Sequence, residues 1–153
     1  MSFQGDLRRA GIDPQLVVRT KKILIPAASV LTLRATPYTL VPAQGSGRVI
    51  ELVSGFLFLD PGSVAYTEST DNLVVRYTDG SGVVVSQVIE MTGFITLTAD
   101  SYTNILPAVD SIVAATGAKN KPLVLHNNGN GEFGNDGNGT LTVHLAYRVW
   151  DFS

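Results

Sequence analysis

Alternation of apolar and polar residues is clearest near the C-terminal end. Over Thr140 to Trp150, Leu141, Val143, Leu145, Tyr147 and Val149 fall on one face, and Thr142, His144 and Arg148 on the other. A helix could not hold this period of two without exposing half of the apolar set, so the segment reads as a long, half-buried antiparallel strand. Asn72 to Thr78 alternates in the same way, with Leu73, Val75 and Tyr77 on one face. The cluster Asp79-Gly80-Ser81-Gly82 then predicts a hairpin loop, with Val83 to Ile89 returning as the partner strand. Phe94 to Thr98 alternates again. Arg48 to Leu59 is almost continuously apolar, as in a strand covered on both faces, and Gly55 within it predicts a bulge or bend.

Shorter extended pieces are Ile23 to Ile25, Tyr38 to Val41 and Pro122 to His126. A single helical turn is expected between Pro26 and Pro37, over Ala27 to Arg34, and Asp60-Pro61-Gly62-Ser63 reads as a turn. Asp100 to Thr116 has no regular pattern. About eight strands with frequent turn signals and little helix predict an all-β chain: a single β-sandwich or jelly-roll-like barrel. No internal repeat of fixed period is present, and the periodicity does not define the topology.

Residues 1–22 break this pattern. Phe3, Leu7, Ile12, Leu16 and Val17 are irregularly spaced, and Gly5, Gly11 and Pro14 interrupt any long helix. Asp13 before Pro14 suits the cap and first position of one short helix. The segment reads as an extended N-terminal arm, with the β domain over 23–153. Charge sharpens the division. The arm holds Arg8, Arg9, Arg19, Lys21 and Lys22 against Asp6 and Asp13, a balance of +3, while the whole chain carries −2. A basic arm on an acidic body is expected to dock on an acidic surface, with Phe3, Leu7, Ile12, Leu16 and Val17 as apolar anchors and Arg8 and Arg9 as charge partners; a solvated, mobile terminus is the plainer alternative.

Composition narrows the function classes. The chain has 153 residues, 16% of them charged, and no cysteine. Disulfides, thiolate metal sites and cysteine catalysis are thereby excluded. The low charge fits either an uncharged Thr- and Ser-rich surface or one covered by a partner. No secretory leader pattern is visible, and the apolar run Val49 to Leu59 is too short to cross a bilayer. His126 and His144 belong to no metal-binding spacing, and no nucleophile elbow, phosphate loop or dinucleotide fingerprint occurs. The acidic body argues against nucleic acid. No enzyme, cofactor or membrane partner is expected.

The unusual segment is Asn127 to Gly139, with five Gly, five Asn, Glu132, Phe133 and Asp136. Two readings are open for it, a flexible connection between strands and a calcium loop of too few carboxylates. Phe133, a lone aromatic in a polar loop, reads either as a partner contact or as a residue tucked back onto the domain.

One stretch resembles a known pattern. Leu33-Arg34-Ala35-Thr36-Pro37-Tyr38-Thr39-Leu40-Val41-Pro42-Ala43-Gln44-Gly45-Ser46-Gly47-Arg48-Val49-Ile50 is similar to a run in the head decoration, or cement, proteins of tailed bacteriophages. Leu59-Asp60 with Ser63 to Tyr66, Asn72 to Tyr77, and Leu145 to Val149 are more loosely similar, together about half the chain. The long N-terminal extension departs from that pattern. The resemblance implies a structural virion protein, without catalytic residues, that sits on the outer capsid surface as a homotrimer. Its partners would be the major capsid protein and itself, and it would be assembled in the host cytoplasm. A tail, baseplate or fibre-associated module is the alternative, and a carbohydrate-binding sandwich a more distant one. Trp150, on the polar-face parity of its strand, is expected to be partly exposed or in an interface.

Overall fold

The computed structural model describes residues 3–109 and 112–153. It shows an all-β, sandwich-like domain of two antiparallel sheets. In chain order the elements are α1 (Phe3–Arg9), a 3-10 turn (Pro14–Leu16), β1 (Arg19–Ile25), α2 (Ala27–Val30), β2 (Tyr38–Val41), β3 (Arg48–Asp60), β4 (Leu73–Tyr77), β5 (Ser101–Ile105), α3 (Ala115–Ala118), β6 (Leu123–Asn127) and β7 (Thr140–Asp151). One sheet has the order β1-β7-β3-β5, the other β2-β6-β4. The inward residues of both sheets form one core. Ile23, Ile25, Leu57, Leu59, Ile105, Leu141, Val143 and Leu145 meet Leu40, Leu73, Val75, Leu123 and Leu125 there.

Strand β7 carries the alternation expected of it, with Leu141, Val143, Leu145 and Val149 buried and His144 exposed. It is central because two strands pair with it. Its register with β3 runs from Arg48 opposite Asp151 to Asp60 opposite Thr140, shifting between Leu52 and Ser54, where Val53 is the extra residue of a bulge. Gly55 follows at once. A Cβ on it would lie 2.6 Å from the His144 carbonyl oxygen, so only glycine lets the two backbones approach there. Past the bulge, Leu57 and Leu59 point inward, while Phe56 and Phe58 alternate onto the outer face.

Several expectations are corrected. β1 begins at Arg19, not Ile23, because Arg19 to Lys22 pair with Tyr147 to His144; the first strand therefore starts inside the stretch read as arm. Phe94 to Thr98 is not a strand. Amides of Phe94 and Ile95 bond the Met91 carbonyl in a turn, which sends two adjacent side chains into the core, as a strand cannot. The strand lies instead at Ser101–Ile105, in the irregular stretch, on the open edge beside β3. Val83 to Ile89 returns along β4 only through isolated bridges, Arg76 with Val84 and Leu73 with Ile89. The Ser86 hydroxyl breaks the ladder by accepting the Val75 amide at 2.8 Å. The turn at Ala27–Val30 and the Asp13 cap, whose carboxylate accepts the Gln15 amide at 3.0 Å, are as expected.

Candidate functional site

The N-terminal anchors are only partly free. Pro14 is buried, and the Gln15 side-chain oxygen accepts the Asp151 amide at 2.8 Å, which pins the segment to the end of β7. Leu7 and Val17 are half-buried; Ile12 and Leu16 are exposed, Leu16 by 60%, together with Arg8 and Arg9. The side chain of Phe3 lies outside the described residues. Asp151 joins the segment electrostatically. Its carboxyl is held below its usual range chiefly by the Ser153 hydroxyl and amide, with Arg48 and Arg8 adding to this.

A second surface was not legible from the sequence. Register places Phe58 opposite Tyr102 and Thr142, and Phe56 opposite Asn104 and His144. His144 in turn faces Lys22, and Thr142 faces Leu24. The outer face of the four-stranded sheet thus carries Leu24, Phe56, Phe58 and Tyr102, flanked by Lys22 and His144. The rings of Phe56 and Tyr102 pack edge to face with centroids 5.6 Å apart. Leu24, Phe56 and Tyr102 are each at least half exposed. These side chains form one apolar group open to solvent. The available signal was the parity of Phe56 and Phe58, masked by the apolar run in which they sit.

Leu106, Val109 and Ile112 form a third exposed set, all facing solvent. Beside it, an apolar hollow of about 400 Å³ is lined by Val49, Leu52, Tyr77, Val113, Ala118 and Trp150 among others. Trp150 is half-buried, and its indole N–H donates to Glu51 Oε2 at 2.7 Å. Glu51 also faces the Arg148 guanidinium at 3.5 Å.

Phe133 is corrected as a candidate partner contact. It is 2% exposed and packs against Tyr66 with centroids 6.4 Å apart, because the loop folds its aromatic into the core. Nor is the loop a free connection. Gly131 N–H donates to Asp71, Asn127 holds the Gly129 amide and the Gly131 carbonyl, and Gly134 bridges Thr67. The two Glu132 oxygens accept the amides of Arg34 and Ala35 at 2.9 and 2.7 Å. A carboxylate bonded in this way is directed at the backbone, not at an ion. Among the described residues no group of three or more His, Cys, Asp or Glu converges as a metal site requires.

No protein-family model matches the chain, and the comparison with curated proteins gives no match. The surfaces therefore stand on their own geometry. Their exposed apolar side chains are spread over separate segments. No helix among the described residues is long and apolar enough to cross a membrane.

Proposed function

We propose that this chain is a structural virion protein that binds the outer surface of a phage capsid and stabilises it by bridging neighbouring capsid subunits. The observation that carries this reading is the division of exposed apolar side chains among separate segments: Ile12 and Leu16, then Leu24, Phe56 and Tyr102, then Val109 and Ile112. A protein that ties subunits together needs more than one contact surface, and its mechanism is binding free energy rather than chemistry. Burying each such side chain contributes roughly 1.5–3 kcal/mol. The similarity of Leu33 to Ile50 to the decoration-protein pattern supports the same reading. The aromatic face of the larger sheet is the surface through which the body would form its trimer, and the basic N-terminal segment the part that reaches the shell.

The test uses shells assembled from the major capsid protein encoded with this chain. The full chain is expected to co-sediment with them in hundreds of copies. A variant lacking residues 1–18, which leaves β1 whole, is expected to keep its cooperative melt and lose most of its attachment. Equal decoration by the truncated chain would remove the N-terminal segment from the mechanism. Six or twelve copies per particle would place the protein in a tail or baseplate instead.

A further inference from the structure

The outer face of the three-stranded sheet holds a polar cleft separate from the exposed apolar groups described above. Register sets Val74 opposite His126 and Arg76 opposite Val124, so Arg76 and His126 are diagonal neighbours on that face. Arg34, from the stretch after α2, closes a third side, and Gly80 of the hairpin a fourth. The space between them is about 480 Å³. Gly80 lies close over the ring: a Cβ there would lie 2.7 Å from His126 Nε2, so a larger residue would push the ring aside.

The cationic groups are positioned but not consumed. Arg34 Nη1 donates to the Gly129 carbonyl, and Arg76 Nη1 to the Gly80 carbonyl. A guanidinium has five N–H donors, so one tether fixes it and leaves others to face the opening. Arg76 Nε is buried without a hydrogen-bond partner among the described residues, and the His126 ring beside it is 6% exposed. Buried polar atoms are seldom left unpaired, and a ligand that supplies the missing bond recovers what their burial costs. The neighbouring carboxylates are already engaged. Glu132 holds the Arg34 and Ala35 amides, and Asp79 holds the Ser81 amide and hydroxyl at 2.8 and 2.6 Å.

We propose that this cleft binds an oxyanion, a single carboxylate or phosphate group held between Arg34 and Arg76 above His126. Planar guanidinium forks match the oxygen spacing of both groups. The protonation of His126 reports on occupancy. Burial first, and then the charge of Arg76, hold its proton affinity below the ordinary histidine value; a hydrogen bond with the Arg34 main chain and the charge of Glu132 oppose this, and the Arg34 charge adds to it. A bound anion offsets the arginine charges and raises it.

The chain's two histidines make the test direct, because His144 lies exposed on the other sheet and serves as the internal reference. Ring resonances of the full chain are followed by NMR during titration with sodium phosphate, and separately with sodium acetate, at constant ionic strength in chloride. His126 is expected to shift saturably, with its pKa rising by about one unit, while His144 stays unchanged. Saturation by phosphate alone assigns the site to phosphate groups, and saturation by both assigns it to oxyanions in general. Arg34→Gln and Arg76→Gln are each expected to weaken binding roughly tenfold or more. Arg34 is exposed, so its variant keeps the test valid if Arg76→Gln disturbs the fold. A linear His126 response no larger than that of His144, with both anions, would overturn the proposal. So would saturation undiminished in both variants.

Discussion

Tyr66 and Tyr77 each bury a phenol whose hydroxyl donates to a main-chain carbonyl, Tyr66 to Gly139 at 2.6 Å and Tyr77 to Ile50 at 2.5 Å. Burial pushes both up to about 12, with Glu51 adding to the shift at Tyr77. The unfolded chain loses these protons near the ordinary value of 10.0, so above that pH the folded state binds more protons than the unfolded state. Stability is therefore expected to fall as pH rises from 10 towards 12. Urea midpoints measured across that range check this, and Tyr66→Phe with Tyr77→Phe should flatten the dependence. His126 gives the opposite slope on the acid side. Its folded-state pKa lies below the unfolded value of 6.5, so stability is full above that value and is lost as pH falls from it through the lower folded-state value. Melting temperatures at pH 7.5 and 5.5 are expected to converge in His126→Gln and to stay apart in His144→Gln. At Phe133, truncation to Ala removes the ring that packs on Tyr66, with an expected loss of about 3–5 kcal/mol in denaturant unfolding. A loss within about 0.5 kcal/mol, typical of a surface position, would contradict its burial.

Among the elements, β3 decides which surface the larger sheet shows. Its bulge at Val53 and the close approach at Gly55 set the register that turns Phe56 and Phe58 outward. Phe56 and Tyr102 then meet across β3 and β5, although their segments are far apart in sequence. Replacing both by serine is expected to change unfolding stability little, since both rings are at least half exposed. It should weaken self-association at least tenfold in analytical ultracentrifugation if this face forms the trimer contact. An unchanged association constant would move the contact elsewhere. The same pair of strands shows why the sequence reading failed locally. Phe94 to Thr98 alternates more clearly than β5, but the Met91 carbonyl captures the Phe94 and Ile95 amides in a turn. Ser101 to Ile105, with the weaker pattern, wins the ladder because an open edge of β3 lies beside it. Strand identity there is a tertiary outcome.

For the whole molecule, the N-terminal segment is neither wholly part of the sandwich nor wholly separate from it. β1 is stitched along β7, and the Gln15 contact to Asp151 ties the turn before it to the far end of the same strand. The segment before Pro14 has fewer anchors, with Ile12 exposed and Leu7 half-buried. Attachment to a shell by this segment would add its burial to a body already folded, so the cost of ordering falls on few residues.

The sequence by itself determined that the chain is all-β, where its longest strands run, and that it has no thiol chemistry. These follow from local facts: a period of two, turn residues at fixed places, and composition. It also located one short helical turn and the Asp13 cap. Strand order, the register shift at Val53, the burial of Phe133 and the cleft of Arg34, Arg76 and His126 came only with the tertiary structure. Each depends on segments that the chain brings together from a distance, and a strand's own pattern does not name its neighbour. Phe133 reads equally as a partner contact or as a residue tucked back until Tyr66 is placed beside it. His126 looks like an ordinary strand residue until the hairpin glycine and two arginines close around it.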